Sequence, residues 1–281
     1  MEESSQIIKL NNEIIELSSP IIMAIMNITP DSFYSGNRYM NKEDVLKWGE
    51  KAIEQGAKII DIGAQSTRPF AELISEEEEK KRLSLALEII CKHFPKTSIS
   101  IDTFRASIAK FAVEEFGVGM INDVSGGELD KNMFATISEY KLAYVLTHSR
   151  GNAQTMTQMT DYADLLSDVF HDLQCKSSTL ISMGIHDIII DPGFGFAKTK
   201  EQNFKLLKNL SLFRELKLPL LCGISRKSMI YNTLDITAEE SLNGTTAAHV
   251  LALMGGAQLL RVHDVKEAKE AIRIFNAYKE S

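Results

Sequence analysis

Eight short apolar runs in this 281-residue chain each give way to a polar side chain able to hold a charge or a ligand. In order these are Asn27, Asp61, Asp102, Asn122 with Asp123, His148, Asp191, Ser225 with Arg226 and Lys227, and Arg261 with His263. A carboxylate facing an amidine-like N–H edge makes short, charge-assisted hydrogen bonds. Asp102 and Asp191, with the Asn122 amide between them in sequence, could therefore read the rim of a flat nitrogen heterocycle. Lys227, Arg261 and His263 could hold an anion. Gly193-Phe194-Gly195-Phe196 joins room for close approach to aromatic surface for stacking. A single polar residue after a strand is as often a turn former or a cap as a ligand group. Recurrence at all eight positions is what points to a site.

To converge, these residues must be carried by a repeating architecture. The apolar runs cover residues 21–26, 58–60, 98–101, 119–121, 142–146, 187–190, 218–222 and 257–260. Amphipathic stretches alternate with them at 42–55, 75–94, 105–116, 131–140, 161–183, 201–216, 237–254 and 265–278. Short apolar runs alternating with longer amphipathic ones predict βα units around a parallel sheet, and eight is the number at which such a sheet closes. The expected fold is an α/β protein, a (β/α)8 barrel forming one domain over 1–281, with chemistry at the C-terminal ends of the strands. Residues 6–18, turning at Asn11-Asn12, predict an N-terminal β-hairpin that plugs the opposite end.

Some features have plainer readings. Asp61 is expected to be structural, the loop beyond it reaching the ligand. Ser75 and Glu78 have capping-box spacing, so the acidic run Glu76–Glu79 predicts a helix N-terminus rather than an ion site. Cys222, at the end of an apolar strand, is expected in the core. The segments 27–40 and 63–74 exceed the usual two to six residues of a βα loop, and their contents (Asp31, Ser32 and Phe33 in the first, Thr67, Arg68 and Pro69 in the second) predict lids over a substrate.

Composition narrows the classes. With 44% hydrophobic and 25% charged residues the chain can bury a core. A net charge of −7 gives no diffuse basic surface, which argues against nucleic acid as a ligand and for local capture of any phosphate. Three scattered cysteines without a C-x-x-C pair argue against a disulfide framework or a zinc site and fit a reducing, cytoplasmic location. The acidic start Met-Glu-Glu-Ser-Ser-Gln is unlike a signal peptide, and no apolar run approaches the roughly 20 residues needed to span a membrane. No G-x-S-x-G, H-E-x-x-H or Walker A sequence is present.

Seven of these stations spell a family pattern. Met26-Asn27-Ile28-Thr29-Pro30-Asp31-Ser32-Phe33, Ser66-Thr67-Arg68-Pro69, Ser100-Ile101-Asp102-Thr103, Ile121-Asn122-Asp123-Val124-Ser125-Gly126-Gly127, Asp191-Pro192-Gly193-Phe194-Gly195-Phe196, Ser225-Arg226-Lys227-Ser228 and Arg261-Val262-His263-Asp264 together resemble the dihydropteroate synthases. The resemblance spans nearly the whole chain. It implies condensation of 6-hydroxymethyl-7,8-dihydropterin pyrophosphate with 4-aminobenzoate, giving 7,8-dihydropteroate and pyrophosphate. It also implies roles. Asp102, Asn122, Asp191 and Lys227 would hold the pterin; Asn27, Arg261 and His263 would hold pyrophosphate with Mg2+, Asn27 contacting the metal. Thr67, Arg68, Pro69, Phe196, Ser225 and Lys227 would surround the aminobenzoate, with Asp102, Lys227 and Arg261 carrying the catalysis.

The chain departs from the family pattern at Ala64, Gln65 and Phe70 in the second loop, at Thr147-His148-Ser149-Arg150-Gly151, and at Ala197. His148 keeps a station without an assigned role. Two other readings stand beside the synthase: a methyltetrahydrofolate:corrinoid methyltransferase, which would have no use for a pyrophosphate clamp, and a non-catalytic pterin-binding barrel, which would have no reason to keep Asn27, Asp102, Lys227 and Arg261. A homodimer through the last helices is expected from Leu251, Leu253, Met254 and Ile274.

Overall fold

The computed structural model describes residues 6–10, 13–28, 41–66 and 70–281. An antiparallel hairpin, β1 (Ile7–Leu10) with β2 (Glu13–Glu16), precedes eight parallel strands. These are β3 (Ile21–Asn27), β4 (Ile59–Gly63), β5 (Ser98–Asp102), β6 (Met120–Asp123), β7 (Ala143–Thr147), β8 (Ile188–Asp191), β9 (Leu221–Cys222) and β10 (Leu259–Val262). Their order is β8-β7-β6-β5-β4-β3-β10-β9, and a bridge between Ile190 and Leu220 joins the two edges into a barrel. Helices α1 (Lys42–Glu54), α2 (Glu76–His93), α3 (Ala106–Phe116), α4 (Met133–Tyr140), α5 (Leu165–Ser182), α6 (Lys200–Lys208), α7 (Ser228–Leu234), α8 (Leu242–Met254) and α9 (Val265–Glu280) fill the connections.

Strand periodicity decides what faces the barrel interior. Met23, Ile59, Met120, Ala143, Val145, Ile189, Leu221 and Leu259 form one buried cluster with Ile8, Leu10, Ile15 and Leu17 of the hairpin, so the hairpin seals the N-terminal end of the barrel. Ile22, Ile60, Ile101, Ile121, Tyr144, Ile190, Cys222 and Leu260 belong to the second cluster, which the helices cover. Side chains alternate along a strand. Counting in twos from the interior set toward the C-terminal ends puts Asn27, Asp61, Gly63, Ser100, Asp102, Asn122, Thr147, Asp191, Gly223 and Arg261 on the inner face. Parallel pairing aligns Asn27 with Gly63, Gly63 with Asp102, Asp102 with Asn122, and Thr147 with Asp191. Asp123 points outward, where its carboxylate accepts from Ser125 N and Oγ, Gly127 N and Tyr144 Oη at 2.7–2.9 Å, and it organises the loop after β6.

Several boundaries differ from the sequence expectation. The apolar runs stop at the first polar residue, but a backbone ladder does not require an apolar side chain, so the strands continue through it. Asn27, Asp102, Asn122 and Asp191 are last or next-to-last strand residues, and Asp61 lies in the middle of β4. The stretch 201–216 divides into α6 and a 3-10 segment, Leu210–Leu216, while α7 is an additional short helix. Glu79, in the first turn of α2 as the sequence predicts, is buried. It accepts from Thr103 Oγ1 at 2.8 Å and pairs with Arg105, whose Nη2 also donates to Ile74 O. Ser75 does cap α2, accepting from Glu78 N.

Candidate active site

The centre of the barrel mouth is a network of two carboxylates, an amide and a guanidinium. Arg261 donates from Nε to Asp61 Oδ2 at 2.7 Å and from Nη2 to Asp102 Oδ2 at 2.6 Å, and Asn122 Nδ2 donates to the same Asp61 oxygen at 2.9 Å. Asp61, expected to be structural, sits inside the site and orients two of its members. The other oxygen of each carboxylate, Asp61 Oδ1 and Asp102 Oδ1, is buried without a hydrogen-bond partner among the described residues, as are Ser100 Oγ and Thr147 Oγ1 on the same face. A buried acceptor left unpaired costs about 1–3 kcal/mol. Several of them on one inner wall mark where a ligand rich in N–H groups would be gained.

Electrostatics follow from this burial. Loss of solvent pushes the Asp102 carboxyl up to about 7, with Arg261 opposing the rise and the negative charge of Asp61 adding to it. Burial also raises Asp191, against Lys227 and the Gly193 N–H that donates to Asp191 Oδ1 at 2.8 Å. Lys227 lies half-buried at the start of α7. Its ammonium reaches Phe194 O and stands 4.2 Å from the centroid of the Phe196 ring, a cation–π contact, and burial lowers it to about 8. Ser225 Oγ and His263 Nδ1 are 3.0 Å apart, with His263 N donating to the same hydroxyl. Asn122, Asp102, Asp191, Arg261, Lys227, Phe196, Ser225 and His263 therefore share the C-terminal end of one barrel.

Glycines keep the cradle open. A Cβ at Gly63 would stand 3.3 Å from Asp102 Cβ and 3.6 Å from Asn27 Oδ1, filling the space between them. One at Gly193, where φ is +76°, would meet His148 O at 1.9 Å.

The remaining stations hold loops in place. Arg226 grips Asp264 with two hydrogen bonds of 2.8 and 2.9 Å and also reaches Ala238 O and Glu239 O, tying the loop after β9 to the start of α9. Gln65 donates to Ser66 O and Glu72 O and accepts from Ile74 N, a set that suits an amide and closes the base of the second loop. Phe70 takes a left-handed φ of 63° and donates its N–H to Ala153 O at 2.8 Å. Asp31, Ser32, Phe33, Thr67, Arg68 and Pro69 lie outside the described residues. Sequence reasoning passed over Thr147 and Lys198. Thr147 would have emerged from counting the inner face of its strand in twos; Lys198, after a strand and a turn, carries no comparable signal.

The family model for pterin binding enzymes matches residues 23–263. The chain is 40% identical to the dihydropteroate synthase of Clostridium beijerinckii, over 90% of this chain and 92% of that one, and 37% identical to the Escherichia coli enzyme, over 94% and 93%. The chain belongs to the dihydropteroate synthase family. Among solved structures, the Yersinia pestis dihydropteroate synthase in a sulfonamide drug complex superposes with a TM-score of 0.92 at 34% identity, covering 98% of this chain and all of that one. The Thermus thermophilus dihydropteroate synthase in complex with 4-aminobenzoate gives 0.87 at 32% identity, covering 97% and 99%. The activity shared by these relatives is that of a transferase in folate synthesis.

Proposed function

We propose that this barrel condenses 6-hydroxymethyl-7,8-dihydropterin pyrophosphate with 4-aminobenzoate, releasing pyrophosphate and 7,8-dihydropteroate. The observation that carries the reading is the unpaired Asp102 Oδ1 and its neighbours, a wall of buried acceptors facing a cradle kept open by Gly63. Asp102, Asn122 and Asp191 would read the N–H edge of the pterin, with Lys227 beside them. Arg261 and His263 would hold the pyrophosphate. Phe196, Ser225 and Lys227 would face the aminobenzoate, together with Thr67, Arg68 and Pro69 of the second loop.

The reaction breaks the bond from the pterin methylene to the pyrophosphate oxygen, and the electron pair leaves with that oxygen. The methylene becomes electron-poor, stabilised by the ring. Asp102 then gains a partner for its negative charge that the ground state lacks, which is how a fixed charge lowers a barrier. The arylamine lone pair closes the C–N bond, and its nitrogen gives up one proton. No protein nucleophile is required; positioning supplies a large share of the rate.

Among the described residues no group of three or more His, Cys, Asp or Glu side chains is arranged to hold a metal. Mg2+ typically keeps its waters and takes one or two protein oxygens plus substrate phosphates. The Asn27 carboxamide oxygen on the open side of Gly63 fits such a minimal site. Bound there with substrate, the ion would supply charge neutralisation for the departing pyrophosphate.

A homodimer through α8 and α9, where Leu251, Met254 and Ile274 are exposed while Leu253, expected on the same face, is instead buried in the core, and a cytoplasmic location complete the reading. No helix among the described residues is long and apolar enough to cross a membrane. Purified protein with both substrates and Mg2+ is expected to release pyrophosphate, and to release none when either substrate is omitted; release without aminobenzoate, or none with all three, would overturn the assignment. Sedimentation as a monomer at micromolar concentration would overturn the dimer.

A further inference from the structure

Buried against the turn after β8 is a lysine that the condensation does not use. The Lys198 Nζ is 2.9 Å from His148 Nδ1, 3.0 Å from Gly193 O and 3.1 Å from Phe196 O. Lys198 is 8% exposed and His148 2%. Burial lowers Lys198 to about 7, with the negative charge of Asp191 opposing the fall; in its ammonium form it has three N–H donors and no acceptor, and three acceptors surround it. His148 must then carry its proton on Nε2 and present a bare Nδ1. Burial supports this, because it holds the imidazole neutral, down to about 2, with the Lys198 charge adding to the effect.

The two carbonyls belong to the one loop on which the pocket depends. Asp191 opens that loop and accepts from Gly193 N; His148 N donates to Asp191 O at 2.9 Å; Phe194 O accepts from Lys227; and Phe196 presents its ring to Lys227. Gly193 and Gly195 both have positive φ, as does Ala197 at 49°, so the turn has little intrinsic preference for this shape. Asn203 completes it from α6, accepting from Gly195 N at 2.7 Å and donating to Lys198 O.

We propose that Lys198 and His148 are positioning residues: the ammonium, bonded at once to His148 and to two carbonyls of the 193–196 turn, fixes Asp191 and Phe196 so that one loop addresses both substrates. This rests on the condensation proposed above. It also gives His148 a task, as the neutral acceptor that orients the cation.

Lys198→Met keeps the stem and removes all three donors. It should raise KM for the pterin pyrophosphate and for aminobenzoate together, by about tenfold each, with a smaller fall in kcat. His148→Gln, whose amide oxygen can accept, should stay within about threefold of wild type in both KM values, and His148→Leu, which cannot accept, should approach the Lys198→Met values. Amide hydrogen exchange over residues 193–197 should quicken in Lys198→Met and His148→Leu and stay slow in His148→Gln. A Lys198→Met or His148→Leu protein with a lowered Tm but unchanged KM values would show a merely structural role and overturn the proposal. So would His148→Gln behaving like His148→Leu. Should the wild type release no pyrophosphate, the assigned reaction fails on that control alone, and hydrogen exchange still tests whether Lys198 and His148 hold the turn.

Discussion

Two buried polar clusters stand at the C-terminal end of the barrel, one on β4, β5, β6 and β10 and one around the turn after β8, and they treat hydrogen-bonding capacity in opposite ways. In the Lys198–His148 cluster every donor of the cation meets an acceptor. In the Asp61–Asp102–Asn122–Arg261 cluster, two carboxylate oxygens have no partner among the described residues, and two carboxylates share one guanidinium. A satisfied network in a low-dielectric interior is rigid, whereas a half-satisfied one is costly. A ligand bound at the second cluster would satisfy the oxygens that the protein leaves unpaired. The contrast separates support from site without reference to any relative, and substitutions can be ranked by how far they disturb it.

Arg261→Met should do the most damage. It removes the partner of both carboxylates and the proposed pyrophosphate grip together. Removing one partner of a buried pair costs about 3–5 kcal/mol, so thermal melting should shift down by several degrees. Steady-state kcat/KM should fall by roughly a thousandfold or more. A variant within tenfold of wild type would show that the guanidinium is not part of the site.

Asp102→Asn comes next and separates binding from chemistry. The amide keeps the shape and one acceptor oxygen but loses the charge that the electron-poor methylene would meet. Turnover should drop by about a hundredfold, with KM for the pterin substrate within a few-fold of wild type; equal losses in both would contradict the transition-state role. The wild-type pH profile should carry an acid limb from the same group. With Asp102 pushed up to about 7, it is charged above that pH and protonated below it, so kcat/KM should fall as pH drops through 7. The limb should vanish in Asp102→Asn.

Asn27→Ala should have an intermediate effect, seen mainly in metal dependence. If the carboxamide is a protein contact of Mg2+, its loss should raise the Mg2+ concentration for half-maximal rate by roughly tenfold while excess metal restores most of the turnover. An unchanged Mg2+ titration would remove Asn27 from the metal site.

Much of this was legible in the residues before any coordinates. The eightfold alternation of apolar runs and amphipathic stretches encodes the barrel because parallel strands covered on both sides must be apolar almost throughout. The hairpin expected over 6–18 is present as β1 paired with β2, while the Asn11-Asn12 turn itself lies outside the described residues. The ends of the strands were less legible: apolarity stops one to three residues before the ladder does, and this is where the inner wall carries its polar groups. The double contact of Asp61 with Asn122 and Arg261 was not legible, because it depends on partners 61 and 200 residues away. The partners of Glu79 were illegible for the same reason. A run of four glutamates predicts the start of α2, which is found, but only the packing of α2 against the loop after β5 buries the last of them beside Thr103 and Arg105. Lys198 left no trace in the pattern because its three acceptors, two of them main-chain carbonyls, are brought together only by the turn.

The finest test of the contrast is Asp61→Asn. The change removes one of the two carboxylates that share Arg261 while keeping side-chain size. The amide oxygen can still accept from Arg261 Nε, and its NH2 group would occupy the position of the unpaired Oδ1. The contact with the Asn122 Nδ2 group is weakened, and one buried charge is gone. Those effects oppose each other, so stability should change by no more than about 1 kcal/mol. Turnover should fall only about three- to tenfold, because Asp61 orients the reacting groups without touching them. The pH profile carries the decisive sign. The negative charge of Asp61 helps to raise Asp102, so neutralising it should lower the Asp102 carboxyl and move the acid limb to lower pH than in the wild type. A limb that stays in place would mean that the two carboxylates are electrically independent. A limb that moves upward would mean that Arg261, released from Asp61, leaves Asp102 as well. Only a downward move fits a wall in which two buried carboxylates compete for one cation until a substrate arrives.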